Sequence, residues 1–148
     1  MKMRVGFYKL DGGRLCGWLA APPKRRRFPG TIMASGRDIP HDLAHFVVEA
    51  TLGLEHGFWG LLAKGATFKT VSGRRRTKPG EQLVHEHRQD LNVAEYLVNA
   101  HLAAWRTHKL TPAGPALDQI YARWRALAAG DELHLDWATR QPTRPLYR

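Results

Sequence analysis

A chain of 148 residues with 23 Lys and Arg against 13 Asp and Glu carries a formal charge of +10, which favours acidic partners such as nucleic acid, anionic surfaces or acidic proteins. Its length and 43% apolar content fit one domain with a buried core, and it has no run of about 18 apolar residues of the kind that spans a membrane. A single cysteine, Cys16, excludes an internal disulfide framework and a thiolate-rich zinc site, and points to a reducing cytoplasm.

The first seven residues alternate like a strand and lack the apolar block of a signal peptide. Residues 3–10 and 14–20 read as two strands joined at Asp11-Gly12-Gly13, a tight-turn signal. Residues 21–30 hold three prolines and the run Lys24-Arg25-Arg26-Arg27, and so form an exposed connection. Residues 31–34 return as a third strand. A helix follows, with Asp38 as the cap and Pro40 in its opening turn, and it runs to about Gly53, which suits a left-handed stop.

After a turn at Leu54-Glu55-His56-Gly57, residues 58–66 form a short apolar helix or a compact segment, with Phe58, Trp59, Leu61 and Leu62 in the core. The β-branched and aromatic content of residues 67–71 favours a strand. Residues 72–80 are a loop carrying Arg74-Arg75-Arg76-Thr77-Lys78. Residues 81–90 extend towards a helix that is clear from Leu91 to Thr107, where Leu91, Ala94, Leu97, Val98, Leu102 and Trp105 recur at helical spacing. Asn92 and Glu95 match a capping box if the helix begins there. Thr111-Pro112 opens another helix that ends by Gly130, and Leu133, Leu135 and Trp137 mark a last strand over 132–138. The expected fold is a single α+β domain over 1–140, a small, mainly antiparallel sheet packed against three to four helices, with a flexible tail at 141–148.

The chemistry concentrates in the first long helix. His41, His45 and Glu49 recur at i, i+4 and i+8, so each side chain is offset by only about 40° from the last and all three share one stripe. Two imidazoles one turn apart can share a metal ion, and a carboxylate one turn on can complete the set or orient a ligand. Leu43, Phe46, Val47, Ala50 and Leu54 make the opposite face apolar, with Ala44, Val48 and Leu52 flanking the stripe. A helix so apolar is normally buried, so the stripe is expected to face an interior cleft. Glu95, His85, His87 and His101 are further candidates for a third ligand.

His41-Asp42-x-x-His45 resembles the zincin signature His-Glu-x-x-His. The resemblance implies His41 and His45 as zinc ligands and Asp42 as the base that activates water, with Asp one methylene shorter than the family's Glu. A His-Asp pair also occurs in the HD phosphohydrolases, but that family has an upstream histidine and none precedes His41. The stretch Ile39-Pro40-His41-Asp42-Leu43-x-His45-Phe46, followed by Gly57-Phe58-Trp59-Gly60, resembles a small bacterial family without an assigned function.

Phosphate-binding glycine loops, dinucleotide fingerprints and serine elbows are absent from the sequence. Two functional hypotheses stand. In the first, His41, His45 and Glu49 form a metal site suited to zinc, serving a hydrolase with Asp42 as the base or as a residue that orients a ligand. In the second, the chain is a basic module that binds nucleic acid or an acidic protein through Arg25, Arg26, Arg27, Arg74, Arg75, Arg76 and Lys78, which would neutralise phosphates without reading bases.

Overall fold

The alternation of the first twenty residues becomes the middle of a sheet. In the computed structural model, which describes residues 2–138, strand β1 (Lys2–Leu10) pairs antiparallel with β2 (Leu15–Ala21) on one side and with β5 (Glu132–Ala138) on the other. Two short strands, β3 (Phe28–Pro29) and β4 (Met33–Ala34), continue the sheet on the far edge of β2. The β1–β2 connection is a single 3-10 turn in which Asp11, Gly12 and Gly13 all have positive φ. Two glycines there make a left-handed run nearly free of steric cost.

Period-two patterning then sorts the sheet into two faces. Met3, Val5 and Phe7 are fully buried and sit beside Trp18, Ala20, Leu133 and Trp137 on the inner face. On the outer face Arg4 meets Asp136 at 3.0 Å.

Among the described residues five α-helices accompany the sheet: α1 (His41–Leu52), α2 (Phe58–Ala63), α3 (Lys78–Glu86), α4 (Arg88–Arg106) and α5 (Gly114–Ala126). Helix α1 packs against α2, α4 and α5. Leu43, Ala44, Phe46, Val47 and Val48 are buried along it. The Phe46 ring stands edge-on to Phe7, Trp59 and Trp137 at 5.2–6.1 Å between centroids, and such pairs add about 0.5–1.5 kcal/mol each beyond burial. Gly53, at φ 69°, ends α1 in the expected left-handed conformation. The single α+β arrangement with a small antiparallel sheet is therefore the one the pattern predicts. The expected tail at 141–148 lies outside the described residues.

Several local expectations fail for physical reasons. Asp38 does not cap α1, which starts directly after Pro40 without a side-chain cap. Its carboxylate takes the Ile39 N–H and a two-pronged contact from Arg106, a stronger partner than a helix amide. Residues 67–71 form no strand. Their β-branched character is used locally, with the Thr67 hydroxyl tied to the Thr77 backbone and the Val71 N–H turned back on Phe68 O. Thr77 accepts from Gly80 N and starts α3 inside the supposed loop. A break at His87 separates α3 from α4, so α4 begins before Asn92 and the Asn92–Glu95 capping box does not form. Helix α5 begins at Gly114, three residues after Thr111, and stops at Ala126, short of Gly130.

Candidate metal centre

Helical pitch sets the first relation in the site. His45 and Glu49 lie one turn apart on α1, and His45 donates through Nδ1–H to Glu49 Oε2 at 2.7 Å. Glu49 is fully buried. Its other oxygen, Oε1, accepts the backbone N–H of Trp59 at 3.0 Å, in the first turn of α2. A carboxylate at a helix start satisfies an otherwise orphaned amide and meets the positive end of the helix dipole. Gly57 makes room for it, because a Cβ there would lie 2.5 Å from Glu49 Oε1. The Gly57-Phe58-Trp59 stretch thus holds the buried acid from the other side.

With Nδ1 committed to Glu49, the opposite nitrogen of His45 points outward. His45 Nε2 lies 3.0 Å from His41 Nε2 and 2.8 Å from Glu95 Oε2, and His41 Nε2 lies 3.5 Å from Glu95 Oε1. Glu95 comes from α4, next to the buried Ala94 that packs on this side. Two helices therefore bring two imidazole nitrogens and one carboxylate to a common point, close enough together to hold a metal ion. His41 and Glu95 are each about half exposed, whereas the His45 side chain is 8% exposed. The expected interior cleft thus holds for His45 and Glu49 and fails for His41: the group opens to solvent on one side.

Burial alone would push the His45 imidazole down. The hydrogen bond to Glu49 and the charges of Glu49, Glu95 and Asp42 outweigh it and raise its pKa above the ordinary 6.5. Asp42, the residue expected to act as base, accepts the Trp18 indole N–H at 2.9 Å, while its backbone carbonyl accepts the Trp59 indole N–H at 3.1 Å. It ties the start of α1 to β2 and α2. Glu49, expected among the ligands, stands behind His45, and Glu95 occupies the outer position. The other candidates go elsewhere. His85 is exposed, and His101 engages the Thr111 hydroxyl. His87 joins His56 and Asp90 in a second close grouping. In that one the two rings stack at 4.1 Å and the Lys64 ammonium lies 3.1 Å from His56 Nε2, a poor setting for a cation.

Cys16 is a buried residue of strand β2, and burial, with a smaller effect of Asp42, pushes its thiol up to about 12. Such an environment favours the protonated thiol over the reactive thiolate. Among the described residues no helix is long and apolar enough to cross a membrane.

The basic residues divide. Arg25, Arg26, Arg27, Arg74 and Arg75 line one cavity of about 440 Å³ between the 22–28 connection and the 65–77 segment. Arg76 instead pairs with Glu81 at 3.4 Å, and Lys78 opens α3.

Searches of family models, curated proteins and solved structures return no match to this chain.

Proposed function

We propose that this chain is a metal-binding protein whose centre is His41, His45 and Glu95, suited to zinc, with hydrolysis as the reaction class. The observation that carries the reading is the meeting of three donor side chains: the two imidazole Nε2 atoms lie 3.0 Å apart, and each faces one oxygen of Glu95, His45 at 2.8 Å and His41 at 3.5 Å. Zinc bonds of 2.0–2.1 Å in a tetrahedron place neighbouring donors about 3.3 Å apart, so little rearrangement separates these positions from a ligand set. Imidazole and carboxylate are donors zinc accepts. Glu49 supplies the support such a site needs. By taking the Nδ1 proton it fixes the tautomer and ring orientation of His45 and leaves Nε2 as the donor.

Three protein donors leave one position of a tetrahedral ion open, the arrangement of catalytic zinc sites rather than closed structural ones. The half-exposed His41 and Glu95 keep that side accessible. A zinc ion there would supply Lewis acidity and lower the pKa of a water molecule. In this reading Asp42 is a positioning residue, holding the first turn of α1 against Trp18 so that His41 and His45 present together. His45 held between Glu49 and Glu95 as an imidazolium, with no metal, is the competing reading of the same distances.

Metal analysis of protein purified without a histidine tag separates the two. The expected result is close to one equivalent of zinc per chain, lost in His41→Ala and Glu95→Ala and retained in His85→Ala. A metal-free protein that binds added zinc no better than its Glu95→Ala variant overturns the proposal.

A further inference from the structure

The fold brings together two basic loops that the sequence keeps almost fifty positions apart, around a shared cavity whose lining holds no acid. The lining of their shared cavity contains five arginines, Phe28, two threonines and two glycines, and no carboxylate. Among the described residues no ion pair involves Arg25, Arg26, Arg27 or Arg75. Holding like charges together costs free energy unless an anion joins them.

The arrangement is built rather than incidental. Arg74 is its structural post. It donates to Leu62 O and Ala66 O, both at 3.0 Å, and its guanidinium lies 4.4 Å over the Phe28 ring, so it clamps one loop to the other. Burial, and then the neighbouring Arg25 charge, pushes the Arg74 guanidinium down. Gly73 lets the second loop close on β3, since a Cβ there would lie 2.4 Å from Pro29 O. Gly65, at φ 106°, leaves the space into which the Arg25 guanidinium fits. Arg26, Arg27 and Arg75 remain exposed around this frame.

We propose that this cavity is a binding site for the phosphodiester backbone of a nucleic acid, with Arg25, Arg26, Arg27 and Arg75 taking the phosphate oxygens and Arg74 holding the two loops in place. The free cations are all arginine, whose planar fork matches phosphate in two-pronged contacts. An acidic peptide would bring side chains that need apolar anchor points. The one apolar residue in the lining, Phe28, is buried and covered by Arg74. The same fact leaves no exposed ring for stacking bases, so the contacts are to the backbone and carry no sequence preference. This assignment stands independently of the metal centre.

The test is fluorescence anisotropy of a labelled single-stranded oligonucleotide over a range of KCl concentrations. Arg26→Ala/Arg27→Ala/Arg75→Ala is compared with a charge-matched control, Arg88→Ala/Lys109→Ala/Arg123→Ala, on exposed positions elsewhere. Arg25 and Arg74 are left intact, and circular dichroism confirms that both variants fold. The expected result is wild-type binding whose salt slope falls by about two in the cavity variant, at roughly 0.7 per phosphate contact. Affinity should fall at least about tenfold at low salt in the cavity variant and much less in the control. Equal losses in the two variants would reduce the effect to net charge and overturn the site. Competition by poly-glutamate as effective as competition by unlabelled oligonucleotide would overturn the choice of nucleic acid.

Discussion

The two polar constellations of this molecule are built on opposite plans. At the His/Glu group, one buried acid organises everything: Glu49 joins α1 to α2 and fixes His45, and only His41 and Glu95 reach solvent. At the arginine cavity the anchoring member is a half-buried cation, Arg74, satisfied by carbonyls and a ring, and no carboxylate lines the cavity beside its exposed neighbours. In the first, the polar groups satisfy one another and the interior depends on them. In the second, no acidic group in the cavity lining offsets them. The difference teaches where substitutions should harm the fold and where they should harm only binding.

Glu49→Ala is the most direct way to break that contrast. Removing the Glu49 carboxylate leaves two buried donors, His45 Nδ1 and Trp59 N, without their acceptor, at about 1–3 kcal/mol each. Urea unfolding should show a loss of this size, whereas Arg26→Ala should stay within about 0.5 kcal/mol of wild type, as surface changes do. Comparable losses in the two would erase the distinction.

A smaller effect is expected next to the same acid. In Gly57→Ala the new methyl meets the Glu49 carboxylate, and overpacking of this kind costs about 1–3 kcal/mol. The φ of −81° at Gly57 suits any residue, so a neutral outcome by thermal unfolding would mean that Glu49 is not held where described. Thr77→Ala removes the α3 cap beside the arginine cavity and should cost about 1 kcal/mol, by the same measurement, without touching the His/Glu group.

The smallest effect concerns the link between the α1 approach and α4. The Arg106 hydrogen bond, against the opposing effect of burial, lowers the Asp38 pKa below 3.8. A carboxyl with a depressed folded pKa stabilises the protein above its unfolded value and loses that contribution as pH falls through the folded one. The stability gap between wild type and Asp38→Asn should therefore be present at neutral pH and close below about pH 3.8. A gap that widens on acidification has the wrong sign for this pair.

How much of this was legible in the sequence follows from the range of each interaction. The β1–β2 pairing, β5, the span of α1 and its Gly53 stop rest on local periodicity and turn chemistry, and all appear as expected. So does the pairing of His41 with His45, which helical pitch fixes. Glu95 could be named as a candidate and not chosen, because its meeting with His45 depends on how α4 crosses α1. Glu49 illustrates the same limit: its place on the stripe was visible, but its bond to Trp59 N comes from the packing of α2 and turns it away from the outer position. Arg74 and Arg75 look alike as letters, yet one is clamped between carbonyls and the other stands in solvent. Residues 67–71 misled because β-branched side chains favour a strand only where an edge is free to receive one, and β3 and β4 already occupy the outer edge of β2.

The proposed metal centre requires His41 and His45 to present Nε2 to one ion while Glu49 keeps the His45 Nδ1 proton. Long-range 1H–15N NMR of the histidine rings during a zinc titration reads it directly. The account predicts that the Nε2 signals of His41 and His45 shift together and saturate at one equivalent, with His45 Nδ1 remaining protonated and the other imidazoles unmoved. If His45 Nε2 stays unchanged at stoichiometric zinc, or the shifts fall on His56 and His87, the centre described here is contradicted.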